Sequence, residues 1–303
     1  MQNTEHRKIL FLVNPVSGTG DKEKIKDQIA ISTRTQNIPF EICDTDPEGN
    51  YNYLATKIEA EKITDVVICG GDGSINQVLS YLQNTEVNIG IIPIGSGNGL
   101  AMGAGISRKL KKALGVVFQN KTIKIDAYMV NDNFGCMLTG LGFDARVASA
   151  FSKQKRRGLL GYIYVCLKAF FKKDAYRIRI NIDGRAWEEK IFFISIANSN
   201  QFGNHVTIAP KAILNDGLLD VVLVTKMNPF LSAICLLKQI LFGRVQRVNL
   251  EDLEKKKIYY WQTSEIEIEN KDLSPLHIDG EPKSTSGSIR IKLIPQAIRL
   301  LVP

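Results

Sequence analysis

Cysteine is scarce in this chain of 303 residues, and no motif puts it to structural use. The five cysteines lie far apart, include no C-x-x-C pair and are odd in number. A disulfide framework or a zinc site is therefore not expected, and a reducing cytoplasm is the compartment that fits best. Low-complexity linkers and internal repeats are also missing, so the length predicts one or two compact domains.

Long hydrophobic runs are missing as well. The first apolar run, residues 9–13, is too short for a signal peptide. Two apolar helical segments, residues 158–173 and 229–243, fall short of the about eighteen uninterrupted apolar residues of a membrane span. We therefore expect a cytoplasmic protein. The basic residues at 153–157 leave two alternatives open for residues 153–173, namely peripheral contact with a membrane surface or a buried helix flanked by solvated charges.

Acidic residues are outnumbered, because 39 Lys and Arg against 31 Asp and Glu give a formal net charge of +8. Such an excess favours an anionic partner, which can be a nucleic acid, a membrane surface or a phosphate ligand. No RNA- or DNA-recognition motif is present, so no nucleic acid partner is expected. Arg108 and Lys109 are assigned to the solvated face of a helix.

The first third of the chain alternates buried strands with helices. Near-continuous apolar runs at residues 8–13, 65–69 and 90–94 are separated by helical patterns. Strands that are apolar on both faces predict a parallel sheet covered on both sides. Ligands of such sheets bind at the carboxyl ends of the strands, and all three runs end in loops rich in Gly, Asn and Ser.

The pattern changes after about residue 125. Segments such as 176–182 and 265–269 alternate apolar and polar residues, and Asp-Gly turns separate several of them. Alternation with tight turns predicts an antiparallel sheet or sandwich. The fold class is therefore α/β, with an N-terminal parallel-sheet domain followed by a mostly β domain.

Three loops carry candidate chemistry: N-P-V-S-G at 14–18, G-G-D-G-S-I-N at 70–76 and P-I-G-S-G-N at 93–98. Glycines before a helix let a backbone approach phosphate closely, but a plain strand-to-helix turn with positive φ gives the same pattern. Asp72 favours a site, because a carboxylate beside phosphates needs a metal or a substrate proton. A P-loop is excluded, and Leu100 stands where a dinucleotide-binding fingerprint needs its third glycine.

The three motifs, in this order and spacing, resemble the diacylglycerol kinase catalytic domain family, which includes bacterial lipid kinases and sphingosine kinases. The resemblance continues through residues 140–145, 208–212, 215–220 and 279–281, and so covers essentially the whole chain. It implies a nucleotide-binding α/β domain at residues 1–125 and an antiparallel β-sandwich domain for the lipid substrate at residues 126–289. Residues 290–303 are expected to return to the first domain.

The resemblance implies transfer of the ATP γ-phosphate to a lipid hydroxyl at a membrane surface, with Mg²⁺ at the phosphates. The implied ATP-binding residues are Asn14, Pro15, Ser17, Gly18, Thr45, Gly70, Gly71, Asp72, Gly73, Ser74, Asn76, Gly95 and Ser96. Glu281 is implied as the proton acceptor, with Asp279 beside it, whereas the sphingosine kinase branch gives this role to the aspartate at Asp72. A structural Mg²⁺ or Ca²⁺ is implied at Asp216 with the carbonyls of Ile213 and Leu218, and a plain turn is the alternative.

Several alternatives stay open. The loop at 95–99 lacks the acidic residue that follows Asn98 in many relatives, so a sphingoid base competes with diacylglycerol as the acceptor. An NAD kinase-like phosphotransferase acting on a soluble substrate would also use a G-G-D-G loop. A non-catalytic nucleotide- or lipid-binding regulator is disfavoured, because Glu281, Asp72 and Asp216 are all present. The oligomeric state, a homodimer included, is left open.

Overall fold

The computed structural model of the chain describes residues 7–18, 20–83, 85–152, 164–165, 168, 175–182, 185–201, 209–225 and 258–303. The helices are α1 (Lys22–Arg34), α2 (Tyr53–Glu61), α3 (Asp72–Leu82), α4 (Gly99–Gly103), α5 (Leu110–Gln119) and α6 (Phe143–Ser152). The strands are β1 (Ile9–Val13), β2 (Phe40–Asp44), β3 (Asp65–Gly70), β4 (Asn88–Pro93), β5 (Thr122–Val130), β6 (Asn133–Gly135), β7 (Leu138–Gly142), β8 (Tyr176–Ile182), β9 (Arg185–Ala197), β10 (Leu219–Thr225), β11 (Ile258–Thr263), β12 (Glu265–Asn270), β13 (Leu276–Ile278), β14 (Glu281–Lys283) and β15 (Ser288–Leu301).

Two of the predicted segments cannot be compared with the structure. Residues 229–243 lie outside the described residues, and of residues 153–173 only Tyr164, Val165 and Lys168 are described. Among the helices of the described ranges, none has the length and apolar character needed to cross a membrane.

The chain divides into two compact units. The first comprises Met1–Ile125 together with Pro295–Pro303, and the second comprises Asp126–Ile294. The chain passes from the first unit to the second within β5 and comes back within β15. The first unit is therefore discontinuous in sequence.

The first unit is built on a parallel sheet. Its strand order is β15, β4, β3, β1 and β2, and each neighbouring pair is parallel. Every residue of β1 and β3 is buried, as the continuous apolar runs predicted. Helix α1 begins after Asp21, whose side chain accepts the backbone N–H groups of Glu23 and Lys24.

The second unit is antiparallel. Its main strand order is β14, β13, β7, β9, β8, β12 and β15, and β10 pairs with both β9 and β11. Strand β10 is buried on both faces, because Leu219, Val221 and Leu223 join one hydrophobic cluster while Val222 and Val224 join another. The predicted fold class, a parallel N-terminal sheet followed by antiparallel strands, is confirmed.

Candidate functional site

The predicted site loops of the first unit leave one edge of its sheet. Strands β1, β2 and β3 are in parallel register, with Val13 opposite both Asp44 and Cys69, so their carboxyl ends lie together. The chain runs from β1 to β2 on one side and places β3 on the other side of β1. A crevice at such a switch in strand order is where open α/β sheets bind their ligands.

Asn14 ties the loop after β1 to the loop after β3. Its Nδ2 donates to Ser74 Oγ at 2.8 Å, and its Oδ1 accepts the backbone N–H of Val16 at 2.9 Å. One amide therefore shapes its own loop and holds the first turn of α3.

The glycines of the three loops lie against one another. A Cβ atom on Gly71 would lie 3.2 Å from Gly95 Cα, and one on Gly95 would lie 2.4 Å from Gly71 Cα. A Cβ atom on Gly18 would lie 2.0 Å from the carbonyl oxygen of Ile94. The structure thus brings the predicted residues of all three loops into direct contact, and side chains at these positions would separate the loops.

Helix α3 points its N-terminus into this cluster of loops. Its N-cap residue is Gly71, which has no side chain to accept the first N–H groups of the helix. The first N–H groups of a helix carry positive potential and attract anions. Asp72 opens the helix, and a Cβ atom on Gly97 would lie 2.7 Å from its Oδ2. The carboxylate of Asp72 therefore lies beside the loop after β4.

Thr45 and Ser96 lie at the same edge. The backbone N–H of Thr45 donates to the carbonyl of Val13 at 2.9 Å, directly after β2. Nη2 of Arg108 donates to the carbonyls of Gly95 and Ser96, each at 3.0 Å. From the sequence, Arg108 was expected on the solvated face of a helix, and no local sequence pattern indicates this contact with the loop after β4.

In the second unit, Asp279 and Gly280 form the turn of the β13–β14 hairpin. Ile278 pairs with Glu281, and the two turn residues have φ of 50° and 85°. A two-residue hairpin turn with positive φ at both positions is the type that an Asp-Gly sequence favours. Glu281 follows the turn as the exposed first residue of β14.

The carboxylate of Asp279 is enclosed by donors. It accepts the backbone N–H groups of Cys136, Met137 and Leu138 at 2.9–3.0 Å and the hydroxyl of Tyr128 at 2.9 Å. Burial and the neighbouring carboxylate raise the pKa of Tyr128 well above its usual value, so the tyrosine stays a donor. Bonded at both oxygens, the Asp279 carboxylate fixes the turn, and it is poorly placed to accept a substrate proton.

The loop before β10 carries the predicted metal ligands Ile213, Asp216 and Leu218. Oδ1 of Asp216 accepts the backbone N–H of Leu218 at 3.1 Å, as in the plain turn that was the alternative. Buried Asp126 accepts the N–H of Gly217 at 2.8 Å. No group of three His, Cys, Asp or Glu side chains gathers among the described residues, but the predicted set needs only one carboxylate. One carboxylate and two carbonyls fit a hard cation chemically.

Asp220 lies at the start of β10, close to this loop, and was not among the predicted site residues. Burial raises the pKa of Asp220 to about 6, although a hydrogen bond from Gln262 acts to lower it. The hydroxyl of Tyr260 donates to its Oδ1. Asp220 therefore titrates at mildly acidic pH beside the predicted metal loop.

Comparison with known proteins adds the family. Residues 8–130 match the model described as diacylglycerol kinase catalytic domain, and residues 138–302 match the model described as YegS C-terminal NAD kinase beta sandwich-like domain. A protein of Shewanella frigidimarina (strain NCIMB 400) named "Probable lipid kinase YegS-like" is 27% identical over 283 residues, which cover 91% of this chain and 88% of its own. A protein of the same name from Enterobacter sp. (strain 638) is 30% identical over 250 residues, covering 80% and 79%.

Solved structures agree on the fold. One from Bacillus anthracis str. Sterne superposes with a TM-score of 0.80 at 20% identity, covering 100% of this chain and 99% of its own. A diacylglycerol kinase from the same organism gives a TM-score of 0.75 at 16% identity, covering 99% and 98%. The two family models together span nearly the whole chain, which therefore belongs to the YegS-like lipid kinase family, with a diacylglycerol kinase catalytic domain followed by a YegS C-terminal domain.

Proposed function

We propose that this protein transfers the γ-phosphate of ATP to a hydroxyl group of a lipid, of the diacylglycerol or sphingoid-base type, at a membrane surface. Membership of the lipid kinase family supports the reaction class. The two units supply different parts of the proposed chemistry. The first offers a phosphate-binding loop cluster, and the second offers an exposed carboxylate.

The proposed nucleotide site is the loop cluster of the first unit. The N-terminus of α3, whose N-cap residue is a glycine, and the backbone of the packed glycine loops present N–H donors to phosphate oxygens. Phosphoryl transfer needs mainly positioning and neutralisation of charge, and closely packed loops supply the first of these. Arg108 adds a cation at the loop after β4.

Asp72 fits a magnesium ion at this site. Its carboxylate lies beside the loop after β4 and at the N-terminus of α3, where an anion already draws stabilisation from the helix. Bound Mg²⁺ would neutralise phosphate charge there. In the second unit, Asp216 with the carbonyls of Ile213 and Leu218 would hold the structural Mg²⁺ or Ca²⁺.

Glu281 is the proposed general base. It accepts the proton of the lipid hydroxyl as that oxygen bonds to the γ-phosphorus and the bond to the ADP oxygen breaks. The observation that carries this assignment is the difference between the two carboxylates of the hairpin. Asp279 is buried with donors on both of its oxygens, whereas Glu281 is exposed at the end of the turn.

The test is a set of matched variants assayed with labelled ATP on vesicles that contain diacylglycerol or a sphingoid base, and on soluble NAD⁺. Glu281→Gln should lower kcat by about 10²–10⁴-fold and leave ATP affinity unchanged, because it removes only the proton acceptor. Glu267→Gln, an exposed glutamate on β12, is the control and should behave as wild type.

Asp72→Asn tests whether the general base is Asp72 or Glu281. If Glu281→Gln is fully active while Asp72→Asn is inactive yet still binds ATP, the base is Asp72. Phosphorylation of NAD⁺ without phosphorylation of any lipid would replace the proposal by a soluble phosphotransferase. ATP binding with no product on any acceptor would favour a regulator.

A further inference from the structure

A histidine and an aspartate are buried together beneath the hairpin that carries Glu281. His277 on β13 is fully buried, and its Nε2 lies 3.4 Å from Oδ2 of Asp144, which is 6% exposed. They are 133 residues apart in the chain. Helix α6, which begins beside Asp144, packs against both β13 and β14. The pair therefore lies between the helix and the hairpin.

The other ring nitrogen of His277 fixes the direction of this contact. Its Nδ1 accepts the backbone N–H of Gly280 at 3.2 Å. An acceptor nitrogen carries no proton, so the neutral imidazole has its proton on Nε2, facing the carboxylate of Asp144. The ring thus links Asp144 to the backbone of the turn.

Asp144 is itself held in place. Its Oδ1 accepts the N–H of Ala145 at 2.8 Å in the first turn of α6, where a negative charge is favoured. Gly140 leaves room for the carboxylate, because a Cβ atom there would lie 1.9 Å from Oδ2. The absence of a side chain at residue 140 therefore lets the carboxylate lie against the ring.

The anchored amide is adjacent to Glu281. Gly280 has a φ of 85°, and its N–H belongs to the peptide that joins it to Asp279. The bond to His277 fixes this peptide from one side, while the Asp279 carboxylate holds the turn through the backbone of Cys136, Met137 and Leu138.

We infer that Asp144 and His277 are positioning residues, which orient the Asp279–Gly280 turn and through it the carboxylate of Glu281. The inference rests on the proposed function for its kinetic consequence. A displacement of about 1 Å in a catalytic group can cost about 100-fold in rate, so the pair acts on kcat and leaves ATP binding alone.

Two substitutions of His277 each keep one of its two ring contacts and remove the other. In His277→Asn, the amide oxygen stands where Nδ1 stood and still accepts the Gly280 N–H. In His277→Gln, the amide nitrogen reaches the position of Nε2, and the acceptor for Gly280 is lost. We expect His277→Gln to lower kcat about 10- to 100-fold, with KM for ATP unchanged, and His277→Asn to stay within about fivefold of wild type.

Thr139→Val is the matched control for lost stability. Thr139 Oγ1 donates to the backbone carbonyl of His277 at 2.6 Å, so this variant removes a buried bond at the same residue without touching the ring. It should lower the melting temperature as His277→Gln does, and keep kcat. Equal loss of kcat in the two variants would show a merely structural role and overturn the inference.

NMR tests the arrangement of His277, Asp144 and Gly280 independently of enzyme activity. Ring ¹⁵N shifts should give the Nε2–H tautomer for His277, with a mixture of tautomers in Asp144→Ala. Exchange of the Gly280 amide should be faster in His277→Gln and unchanged in Thr139→Val.

If wild type phosphorylates no lipid, the proposed function fails while these measurements still decide whether the pair holds the turn. An Nδ1–H tautomer, a Gly280 amide indifferent to the ring, or a faster-exchanging amide with unchanged kcat in an active enzyme would overturn the inference.

Discussion

In the loop after β3, residue 71 must be a glycine because the neighbouring loops leave little room for a side chain, and its backbone conformation does not demand glycine. Gly71 has a φ of −101°, which any residue adopts, yet a Cβ atom would lie 3.2 Å from Gly95 Cα and 3.6 Å from Ser17 Oγ. From the sequence alone, a turn with positive φ is the ordinary explanation of these glycines. Gly18 does have a φ of 67°. Residue 71 is a glycine for a different reason, because a side chain there would crowd the neighbouring loop.

Gly71→Val tests this packing. We expect it to lower ATP affinity at least about tenfold, because a branched side chain separates the loops that would hold the phosphates. Gly71→Ala adds one methyl group at a distance its neighbours can absorb, and should lose less. Titration calorimetry with ATP on the folded variants gives both numbers.

Gly115→Ala is the control for replacing a glycine. Outside its own helix, none of the described residues has a heavy atom within 4 Å of its Cβ position on α5, so the change should stabilise the protein by about 0.5–1 kcal/mol through helix propensity. Undiminished ATP affinity in a folded Gly71→Val protein would move the nucleotide site away from these loops.

Asp279 should matter for stability more than for proton transfer. Asp279→Asn turns one acceptor oxygen into a donor that faces N–H groups, and we expect a loss of about 2–4 kcal/mol in unfolding free energy. Tyr128→Phe removes one donor only and should cost about 1 kcal/mol. Urea unfolding measures both, and a stable but inactive Asp279→Asn would instead make Asp279 part of the chemistry.

Residue types in short motifs could be predicted, but contacts distant in sequence could not. The three loop motifs named Asn14, Gly71 and Ser96 correctly as residues of one sheet edge, because each directly follows a strand. His277 and Asp144 carry no such signal, since 133 residues separate them and tertiary contacts such as the β7–β13 pairing bring them together. The contact of Arg108 with the loop after β4 is of the same kind.

Among the elements, predictability followed burial and turn chemistry. Strands β1, β3 and β4 are buried almost throughout, so their apolar runs alone located them. The Asp-Gly pair at residues 279–280 likewise predicted a hairpin turn. Strands β6 and β14 have only three residues each, which is too short for a period to appear.

One buried ion pair holds three elements of the first unit at its amino-terminal edge. Arg7, before β1, contacts both carboxylate oxygens of Asp65 on β3 at 2.8 and 3.1 Å, and donates to the carbonyl of Val117 on α5. Arg7→Met should cost about 3 kcal/mol, because Asp65 stays buried with its charge uncompensated. Adding Asp65→Asn should recover part of that loss.

The neighbouring pair supplies the comparison. Lys8 and Glu61 form an ion pair at 2.7 Å whose side chains are each about a third exposed, so Lys8→Met should cost at most about 1 kcal/mol. Thermal melts of the three variants rank the losses. Equal effects of Arg7→Met and Lys8→Met would mean that the buried pair contributes no more than a surface one.

At the scale of the whole molecule, the last residues complete the first unit. Residues 295–303 belong to it, and the end of β15 pairs in parallel with β4, with Arg299 opposite Asn88 and Leu300 opposite Ile89. Only the resemblance, and no local pattern, implied that the chain returns. The loops of the proposed nucleotide site thus belong to a sheet that is complete only when the last residues have been made.

Leu300→Ala therefore should weaken the first unit although it lies far in sequence from its loops. Leu300 is fully buried, so truncation should cost about 2–5 kcal/mol and lower the melting temperature by several degrees. Arg299→Ala is its neighbour on the same strand and removes only an exposed ion pair with Glu86, for a loss of at most about 1 kcal/mol. Native-state hydrogen exchange should show that Leu300→Ala loses protection in β3 and β4 while β8 and β9 keep theirs, because these strands belong to different units. Equal loss of protection in all four strands would mean that the two units unfold as one.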